Sequence, residues 1–255
     1  MLKKSILILF IVGFLSIESN SKVKMQLMKW SSKSLTNLKS NKMTIEIWSD
    51  VLCPWCYIGK RQFEKALAEF PHRENVDVIW KSYELDPNSP KNQGIGSYDM
   101  LAKKYGVSRE QSIEMHNNVT ERAKPLGLEY NFEKVLPTNS FDAHRLTHLA
   151  KNYNLQYEMI ERLSKAYFTD GKDISKYEVL KELAKEIGLD ENIVSKMLNE
   201  NEFSKEVRAD ELEAKNLGIS GVPFFVLNRK YGISGAQGSQ VFLEALNQVW
   251  DEYQK

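Results

Sequence analysis

The hydrophobic pattern of the chain first becomes regular at residues 44–48, where Thr-Ile-Glu-Ile-Trp is rich in β-branched and aromatic residues. Residues 53–70 then place their apolar side chains along one helical face: Ile58, Phe63, Ala66, Leu67 and Phe70. A second β-rich run follows at residues 76–80. This pattern predicts a β-α-β unit with parallel strands and a right-handed crossover.

Helical periodicity dominates the middle of the chain, from about residue 90 to residue 217. It begins with four residues that share one face: Tyr98, Leu101, Ala102 and Tyr105. Further along, Ser175 and Glu178 have the spacing of a capping box, which is typical of a helix start. We therefore expect several helices in this block.

The β pattern returns after Gly218, with short strands at residues 224–227 and 231–233 and a helix over residues 239–253. The sequence thus predicts an α/β fold in which two halves flank a helical insertion. The predicted segments are a β-α-β half (43–89), a helical insertion (90–217) and a β-β-α half (218–255).

The first 42 residues differ from the rest of the chain. Two lysines precede an apolar run from Ile6 to Ile17, and small residues at 19–21 resemble a cleavage site, as in a secretory signal peptide. The run is short for a membrane span, which needs about 20 residues. Residues 22–42 are Lys- and Ser-rich and are interpreted as a linker. The alternative is that translation starts at Met43, which predicts a cytoplasmic rather than an exported protein.

The composition, with 42% hydrophobic residues and a formal net charge of +1, is that of an ordinary globular protein. The first 42 residues carry eight Lys and one acidic residue, which leaves the remainder mildly acidic. Basic residues in that remainder are interleaved with acidic ones rather than gathered into a stripe, so nucleic-acid binding is not expected. No stable membrane span is expected there, and the sequence does not indicate an oligomeric state.

The motif that carries chemistry is Cys53-Pro54-Trp55-Cys56, which contains the only two cysteines of the chain. A thiolate is the attacking species, and the unpaired N–H groups at a helix N-terminus favour it. Cys53 lies at the predicted helix start, and Cys56 follows almost one turn later, where it can attack a mixed disulfide at Cys53. We therefore predict a redox-active pair in which Cys53 is the accessible nucleophile and Cys56 is buried.

Two other roles are compatible with a Cys-x-x-Cys motif. The pair would form half of a zinc site if His144 and His148, spaced i and i+4, supplied two more ligands. Some 90 residues separate the cysteines from these histidines, whereas structural Cys2His2 sites have short spacings, so no metal is expected. A purely structural disulfide is disfavoured because so small a loop constrains the unfolded chain little.

A second motif, Gly221-Val222-Pro223, comes immediately before the predicted strand at residues 224–227. Proline is excluded from strand interiors, so Pro223 is expected at the first position of the strand, with a cis Val222–Pro223 bond. Such a loop would turn the Val222 backbone toward the cysteines and offer an edge to an extended substrate. Val222 and Pro223 are thus predicted to bind substrate, the alternative being an ordinary loop proline.

Residues 48–60, which include both cysteines, resemble the opening of the FrnE-type branch of the DsbA family within the thioredoxin superfamily. Further segments resemble signatures of the same family in the same order: residues 139–146, 167–171, 218–226 and 234–237. The resemblance extends from Met43 to the C-terminus. It implies a thioredoxin-like fold with an inserted helical domain, disulfide exchange at Cys53 and Cys56, and a cis-proline loop at Pro223.

The same segments resemble a related branch, the glutathione-dependent 2-hydroxychromene-2-carboxylate isomerases and kappa-class glutathione transferases. A serine usually stands there at the position of Cys53, and a serine cannot form a disulfide. The resemblance therefore favours thiol-disulfide exchange with protein or small-molecule thiols and disulfides, and leaves glutathione-dependent isomerisation or transfer as the alternative. No cofactor is expected beyond the Cys53–Cys56 disulfide, although glutathione is a candidate reactant.

Three more residues are candidates for roles at the site. Asp50 is expected to cap the active-site helix, the alternative being a buried acid near the cysteines. His144 is expected to be a hydrogen-bonded packing residue near a helix start, and the alternative is an imidazole near Cys53 that stabilises its thiolate or moves protons. Trp55 is a candidate substrate contact, or else it covers apolar surface.

Overall fold

The computed structural model describes residues 26–27, 42–91 and 93–254, so the predicted signal segment and most of the predicted linker lie outside the described residues. In this part of the chain one sheet is formed by the strands β1 (Gln26–Leu27), β2 (Met43–Ser49), β3 (Val76–Ser82), β4 (Phe224–Leu227) and β5 (Tyr231–Ser234). Their order across the sheet is β1-β5-β4-β2-β3. Strand β2 pairs in parallel with β3 and antiparallel with β4, so the predicted parallel β-α-β unit is confirmed.

Helices connect the strands in the predicted order. Helix α1 (Pro54–Glu69) joins β2 to β3, and α9 (Ser239–Tyr253) follows β5. Seven helices lie between β3 and β4: α2 (Ser97–Tyr105), α3 (Arg109–Ala123), α4 (Phe141–Lys151), α5 (Gln156–Phe168), α6 (Tyr177–Glu186), α7 (Glu191–Asn199) and α8 (Ser204–Asn216). The predicted α/β fold, with helices inserted between the two halves of the sheet, is thereby confirmed.

The core on one face of the sheet is built by alternate side chains of β2. Ile45 and Ile47 pack with Phe63 of α1 and Phe242 of α9. Trp48 points to the opposite face and packs with Ala214 of α8. Because full burial of one such large apolar side chain contributes about 1.5–3 kcal/mol, this alternation fixes the register of β2. The C-terminal end of β2 and the start of α1 are therefore held firmly where the cysteines lie.

One helix start in the inserted block differs from the prediction. The hydroxyl of Ser175 donates to the Asp173 carboxylate at 2.7 Å, and α6 begins after Lys176 without a side-chain cap. The predicted capping box at Ser175 is therefore wrong, because the hydroxyl is held by a neighbouring acid. A capping box is present instead at Ser108, whose side chain accepts from the N–H of Gln111 at the start of α3.

A short stretch of the predicted linker belongs to the sheet. Gln26 and Leu27 pair antiparallel with Gly232 and Tyr231 of β5, so β1 covers part of that edge. No helix within the described ranges combines the length and the apolar composition needed to cross a lipid bilayer.

Candidate active site

The first cysteine lies at the N-terminus of α1. Cys53 is the N-cap residue, with an extended backbone (φ −95°, ψ 113°), and Pro54 occupies the first helical position. The N–H groups of Cys56 and Tyr57 donate to the Cys53 carbonyl at 3.0 and 3.4 Å. Pro54 suits this first turn because its missing N–H would have no helical partner. The Cys53 thiol thus lies at the positive end of the helix dipole.

Both cysteines are buried. Cys53 is 5% exposed and Cys56 is 3% exposed, so the expectation that Cys53 is accessible is wrong. The reason is that other segments cover the start of α1. The Val222 carbonyl lies 3.7 Å from Cys53 Sγ, and the phenols of Tyr105 and Tyr130 have pKa values raised by burial and by the nearby Cys53 charge.

The surroundings of Cys56 disfavour ionisation of its thiol. Burial raises the pKa of the Cys56 thiol well above its usual range, and the neighbouring Cys53 adds to that rise. The polar groups of the Asp50 backbone and the Ser49 side chain oppose this rise in pKa only in part. Cys56 is therefore held as a thiol until a base removes its proton.

The Val222–Pro223 segment lies against the first cysteine. Cys53 Sγ donates to the Val222 carbonyl at 3.7 Å, and the Val222–Pro223 bond is cis. Pro223 lies one residue before β4 rather than within it, and its carbonyl accepts from the N–H of Gly235 at 2.8 Å. The structure thus brings Cys53, Val222 and Pro223 together at the end of the sheet where β2 finishes and β4 begins.

Residues 44–247 match a family model described as a DSBA-like thioredoxin domain. The chain belongs to this family. A probable DsbA oxidoreductase from Streptomyces coelicolor is 45% identical, with a TM-score of 0.79, and the match covers 82% of this chain and 91% of that one.

Two further similar proteins are more distant. The uncharacterized protein YwbO of Bacillus subtilis is 32% identical over 131 residues, which are 51% of this chain but only 58% of that protein. The cytosolic disulfide reductase DsbM from Pseudomonas aeruginosa, solved with GSH, is 18% identical, with a TM-score of 0.54 and coverage of 83% of this chain and 98% of that one. At this identity the likeness to DsbM concerns the fold alone.

Asp50 of this DSBA-like domain does not cap α1. Its Oδ1 accepts from the N–H of Leu52 at 3.0 Å, and its Oδ2 accepts from the N–H of Leu85 at 2.8 Å. The N-cap residue Cys53 has no side-chain cap hydrogen bond. The capping role expected for Asp50 is therefore wrong, because both carboxylate oxygens tie two loops together beneath the cysteines. The residue is instead a buried acid, which was the alternative.

His144 lies in the first turn of α4 and is almost fully buried. Its Nε2 is 3.5 Å from Asp50 Oδ1 and has no hydrogen-bond partner among the described residues. Burial alone would favour a neutral imidazole, but the carboxylates of Asp50, Glu84 and Glu211 together raise the pKa of His144. His144 is therefore a buried residue near a helix start, as expected. The hydrogen bond expected for it is missing at Nε2.

His148 is engaged away from the cysteines. Its Nε2 lies 3.1 Å from Ser82 Oγ and 3.2 Å from Asp210 Oδ2. Within the residues that the structure describes, no three His, Cys, Asp or Glu side chains are grouped as ligands of a metal ion. The geometry of this region therefore gives the zinc alternative no support.

The rim of the site includes side chains that the sequence did not single out. Tyr130 donates from its hydroxyl to the Pro54 carbonyl at 2.7 Å, inside the Cys-x-x-Cys motif. Trp55 is partly buried against the helical core, and the Arg122 guanidinium lies 5.7 Å from its ring centroid. No local signal marks Tyr130 or Arg122, because each reaches the motif only through the tertiary fold. Whether Trp55 contacts substrate stays a prediction.

Gly59 allows α1 to approach the Pro223 loop. A Cβ atom built at Gly59 would lie 2.8 Å from Pro223 Cγ and 3.5 Å from Ala236 Cα, and the first distance is shorter than real Cβ contacts. The glycine is therefore required by packing rather than by backbone conformation. The close approach fixes the loop that carries Val222 relative to the helix that carries Cys53.

We expect Gly59→Ala to destabilise the protein although alanine is the better helix former. Helix propensity alone would stabilise α1 by about 1 kcal/mol, but overpacking against Pro223 costs about 1–3 kcal/mol. Urea unfolding measures the net change, and exchange with a disulfide peptide should weaken as the loop is displaced. Gly221→Ala is the stability control, because its added methyl meets open space. A Gly59→Ala variant that is more stable than the wild type would contradict this packing argument.

Proposed function

We propose that this protein is a thiol-disulfide oxidoreductase of the FrnE-type branch that exchanges disulfides through Cys53 and Cys56. The observation that carries the proposal is the position of Cys53 at the helix start, with its sulfur 3.7 Å from the Val222 carbonyl. Exchange with an extended chain that carries a disulfide requires two parts, a nucleophile and an adjacent backbone edge.

The exchange proceeds in two steps. The Cys53 thiolate attacks one sulfur of the substrate disulfide, whose S–S bond breaks, and one substrate thiolate leaves. Cys56 then loses its proton and attacks the Cys53 sulfur, which forms the Cys53–Cys56 disulfide and releases the second substrate thiolate. Two electrons pass to the substrate in this direction. The reverse sequence oxidises a dithiol.

Substrate binding is assigned to the Val222–Pro223 segment and to the rim that includes Trp55. The Val222 carbonyl offers a backbone acceptor to an extended chain, and Gly59 holds the segment against α1. Trp55 adds apolar surface beside the cysteines, where a hydrophobic substrate side chain would pack. His144 and Asp50 lie deeper and support the pair rather than touch substrate.

We assign protein or small-molecule thiols and disulfides as partners, with glutathione among them and no cofactor beyond the Cys53–Cys56 disulfide. Glutathione is included because DsbM, which shares this fold, was solved with GSH. The alternative of a glutathione-dependent isomerase or transferase is not favoured, because a cysteine stands at position 53 and a second cysteine, Cys56, follows it in the first turn of α1.

Turnover of insulin disulfides with dithiothreitol tests the proposal. We expect the full chain to accelerate reduction of insulin, and the double variant Cys53→Ser/Cys56→Ser to give the uncatalysed rate, because exchange needs both sulfurs. Equilibration with reduced and oxidised glutathione should give a two-electron potential within the span of about −270 to −120 mV known for this fold. Absence of catalysis, together with conjugation of glutathione to a chromophoric electrophile, would instead support the transferase alternative.

A further inference from the structure

Arg122, near the C-terminal end of α3, is a cation without a carboxylate partner in the part of the chain that the structure describes. None of the positions three or four residues before or after it carries a charge, so no pair forms within the helix. The other basic residues of α3 and of the turn after it are paired. Arg109 pairs with Asp99 at 3.1 Å. Lys124 pairs with Glu121 at 2.6 Å. Arg122 is therefore available to bind an anion from outside the chain.

The Arg122 guanidinium lies beside the cysteines. Its central carbon is 5.7 Å from the ring centroid of Trp55, inside the Cys-x-x-Cys motif, which is within the range of a cation–π contact. Helix α3 packs against α1. Val119, one turn before Arg122 on the same helical face, packs against the same core cluster as Trp55. The packing of the two helices therefore sets the position of this cation next to the motif.

A second guanidinium near the motif is already neutralised. Arg61 of α1 lies over the ring of Tyr57, the residue after the motif, at 5.2 Å. It pairs with Glu64 at 2.8 Å and also with Glu161 of α5. An incoming carboxylate would have to displace one of these partners at Arg61, whereas at Arg122 it displaces only water.

The contact with Trp55 leaves the hydrogen-bonding groups of the Arg122 guanidinium free. A guanidinium that lies over an aromatic ring uses its face for that contact, and its N–H donors point outward in its own plane. Two of these donors match the two oxygens of a carboxylate, which guanidinium groups bind bidentately. The partly buried Trp55 ring offers apolar surface beside them, on which a peptide chain can pack. This part of the rim therefore fits an acidic side chain of a bound peptide.

We propose that Arg122 is a specificity-determining residue that favours peptide disulfides with a carboxylate close to the reacting cysteine. The inference rests on the proposed disulfide exchange and names a substrate class for it. The substrate chain lies along the Val222 backbone while its sulfur reacts with Cys53, and its acidic side chain lies across Trp55 and binds the guanidinium. This contact is remote from the reacting sulfurs and is equally present in the bound and transition states. It therefore lowers KM and leaves kcat unchanged.

Two cyclic peptides test the proposal. Each contains one intramolecular disulfide, and they differ only in the residues that flank the cysteines, which are glutamate in one peptide and glutamine in the other. Their reduction by the full chain is followed with dithiothreitol as the electron donor, and dithiothreitol alone gives the intrinsic ratio of the two rates. We expect the wild type to prefer the glutamate peptide about three- to fivefold in kcat/KM relative to that ratio, the size of an exposed ion pair. The preference should lie in KM and should disappear as the ionic strength is raised from about 0.05 to about 0.5 M.

Arg122→Gln should bring the preference down to the intrinsic ratio. Arg109→Gln is the matched control, because it removes the same side chain from the same helix, over the ring of Tyr98 rather than that of Trp55. Arg109 lies about 20 Å away along α3, since each helical residue adds about 1.5 Å. This control should keep the wild-type preference.

Small disulfides form a further arm of the experiment. Dithiodiglycolate and 2-hydroxyethyl disulfide differ in charge, and neither has a backbone to lie along the Val222 segment. We therefore expect no preference between them that depends on Arg122. Such a preference, found for dithiodiglycolate and absent from the peptides, would assign the guanidinium to small acids and overturn the peptide assignment.

The remaining outcomes separate the role of Arg122 from the proposed function. If the wild type reduces neither peptide faster than Cys53→Ser does, the exchange function fails and the inference fails with it. If the wild type reduces both peptides at the intrinsic ratio, or if Arg122→Gln keeps the preference, the role of Arg122 is refuted while the exchange function stands. Equal loss of the preference in Arg122→Gln and Arg109→Gln would assign it to the total charge of α3 and would also refute the role.

Discussion

We expect Cys53→Ser to abolish disulfide exchange, with turnover falling by about 10³-fold or more, as is usual when a nucleophile is removed. The serine hydroxyl retains the shape and position at the helix start but does not ionise at neutral pH, so the helix dipole has no thiolate to stabilise. Cys56 cannot substitute, because it is buried within α1 and its pKa is raised. Insulin reduction at matched concentrations of the variant and the wild type measures the loss.

The companion variant Cys56→Ser should behave differently. Cys53 keeps its position and still attacks substrates, but the mixed disulfide is not resolved, so covalent adducts accumulate and are detected by mass spectrometry under non-reducing conditions. Cys53→Ser should accumulate few adducts. If Cys53→Ser accumulated more adducts, through Cys56, than Cys56→Ser does through Cys53, the roles of the two sulfurs would be reversed.

The second large effect concerns Arg145, which is 0% exposed in α4. Its guanidinium donates to the Asp142 carboxylate at 2.6 Å and to the Glu202 carbonyl at 2.8 Å. It also donates to the carbonyls of Met197 and Leu198 at the C-terminal end of α7. One side chain therefore binds two carbonyls in the last turn of α7 and links that helix to α4.

We expect Arg145→Met to lower the free energy of unfolding by about 3–5 kcal/mol, because Asp142 loses its buried ion pair and keeps only the exposed Lys91, and the Glu202 carbonyl loses its side-chain donor. Urea unfolding followed by circular dichroism measures the change. Lys196→Met, which removes an exposed lysine of α7 whose ion pairs are long, is the control and should change stability by less than about 0.5 kcal/mol. Arg145→Lys should remain well below the wild type, since an ammonium lacks the fork of donors. An Arg145→Met variant as stable as the control would contradict the role assigned to this side chain.

The elements of the sheet could be predicted closely because their signals are local. Residues 224–227 form β4 and residues 239–253 form α9 with the predicted bounds. Strand β2 extends one residue beyond each end of the predicted strand 44–48. Alternation in the strands and the apolar face of the helices determine these elements largely by themselves. The Cys53-Pro54-Trp55-Cys56 motif is also a local signal, because a thiol at a helix start can be identified without reference to any distant residue.

Other features depend on contacts between residues that are distant in sequence. Tyr130 reaches the Pro54 carbonyl across 76 residues, and the packing of Gly59 against Pro223 depends on how α1 meets the loop before β4. The burial of Cys53 and the position of Asp50 between two loops likewise follow from the assembled fold. The capping box at Ser108, by contrast, has a local signature, since a glutamine follows the serine three residues later.

Cys53 and the Val222 carbonyl meet across 169 residues of chain, because all seven inserted helices lie between β3 and β4. The entropy of closing so long a connection grows only with the logarithm of its length, about 0.6 kcal/mol per doubling, so the insertion costs the equilibrium little. The insertion instead affects the folding rate, because pairing between distant parts of the chain slows folding. We therefore expect the pairing of β2 with β4 to be among the late events of folding. In a newly synthesised chain, the Cys-x-x-Cys motif would then be present before the Val222 backbone lies opposite it.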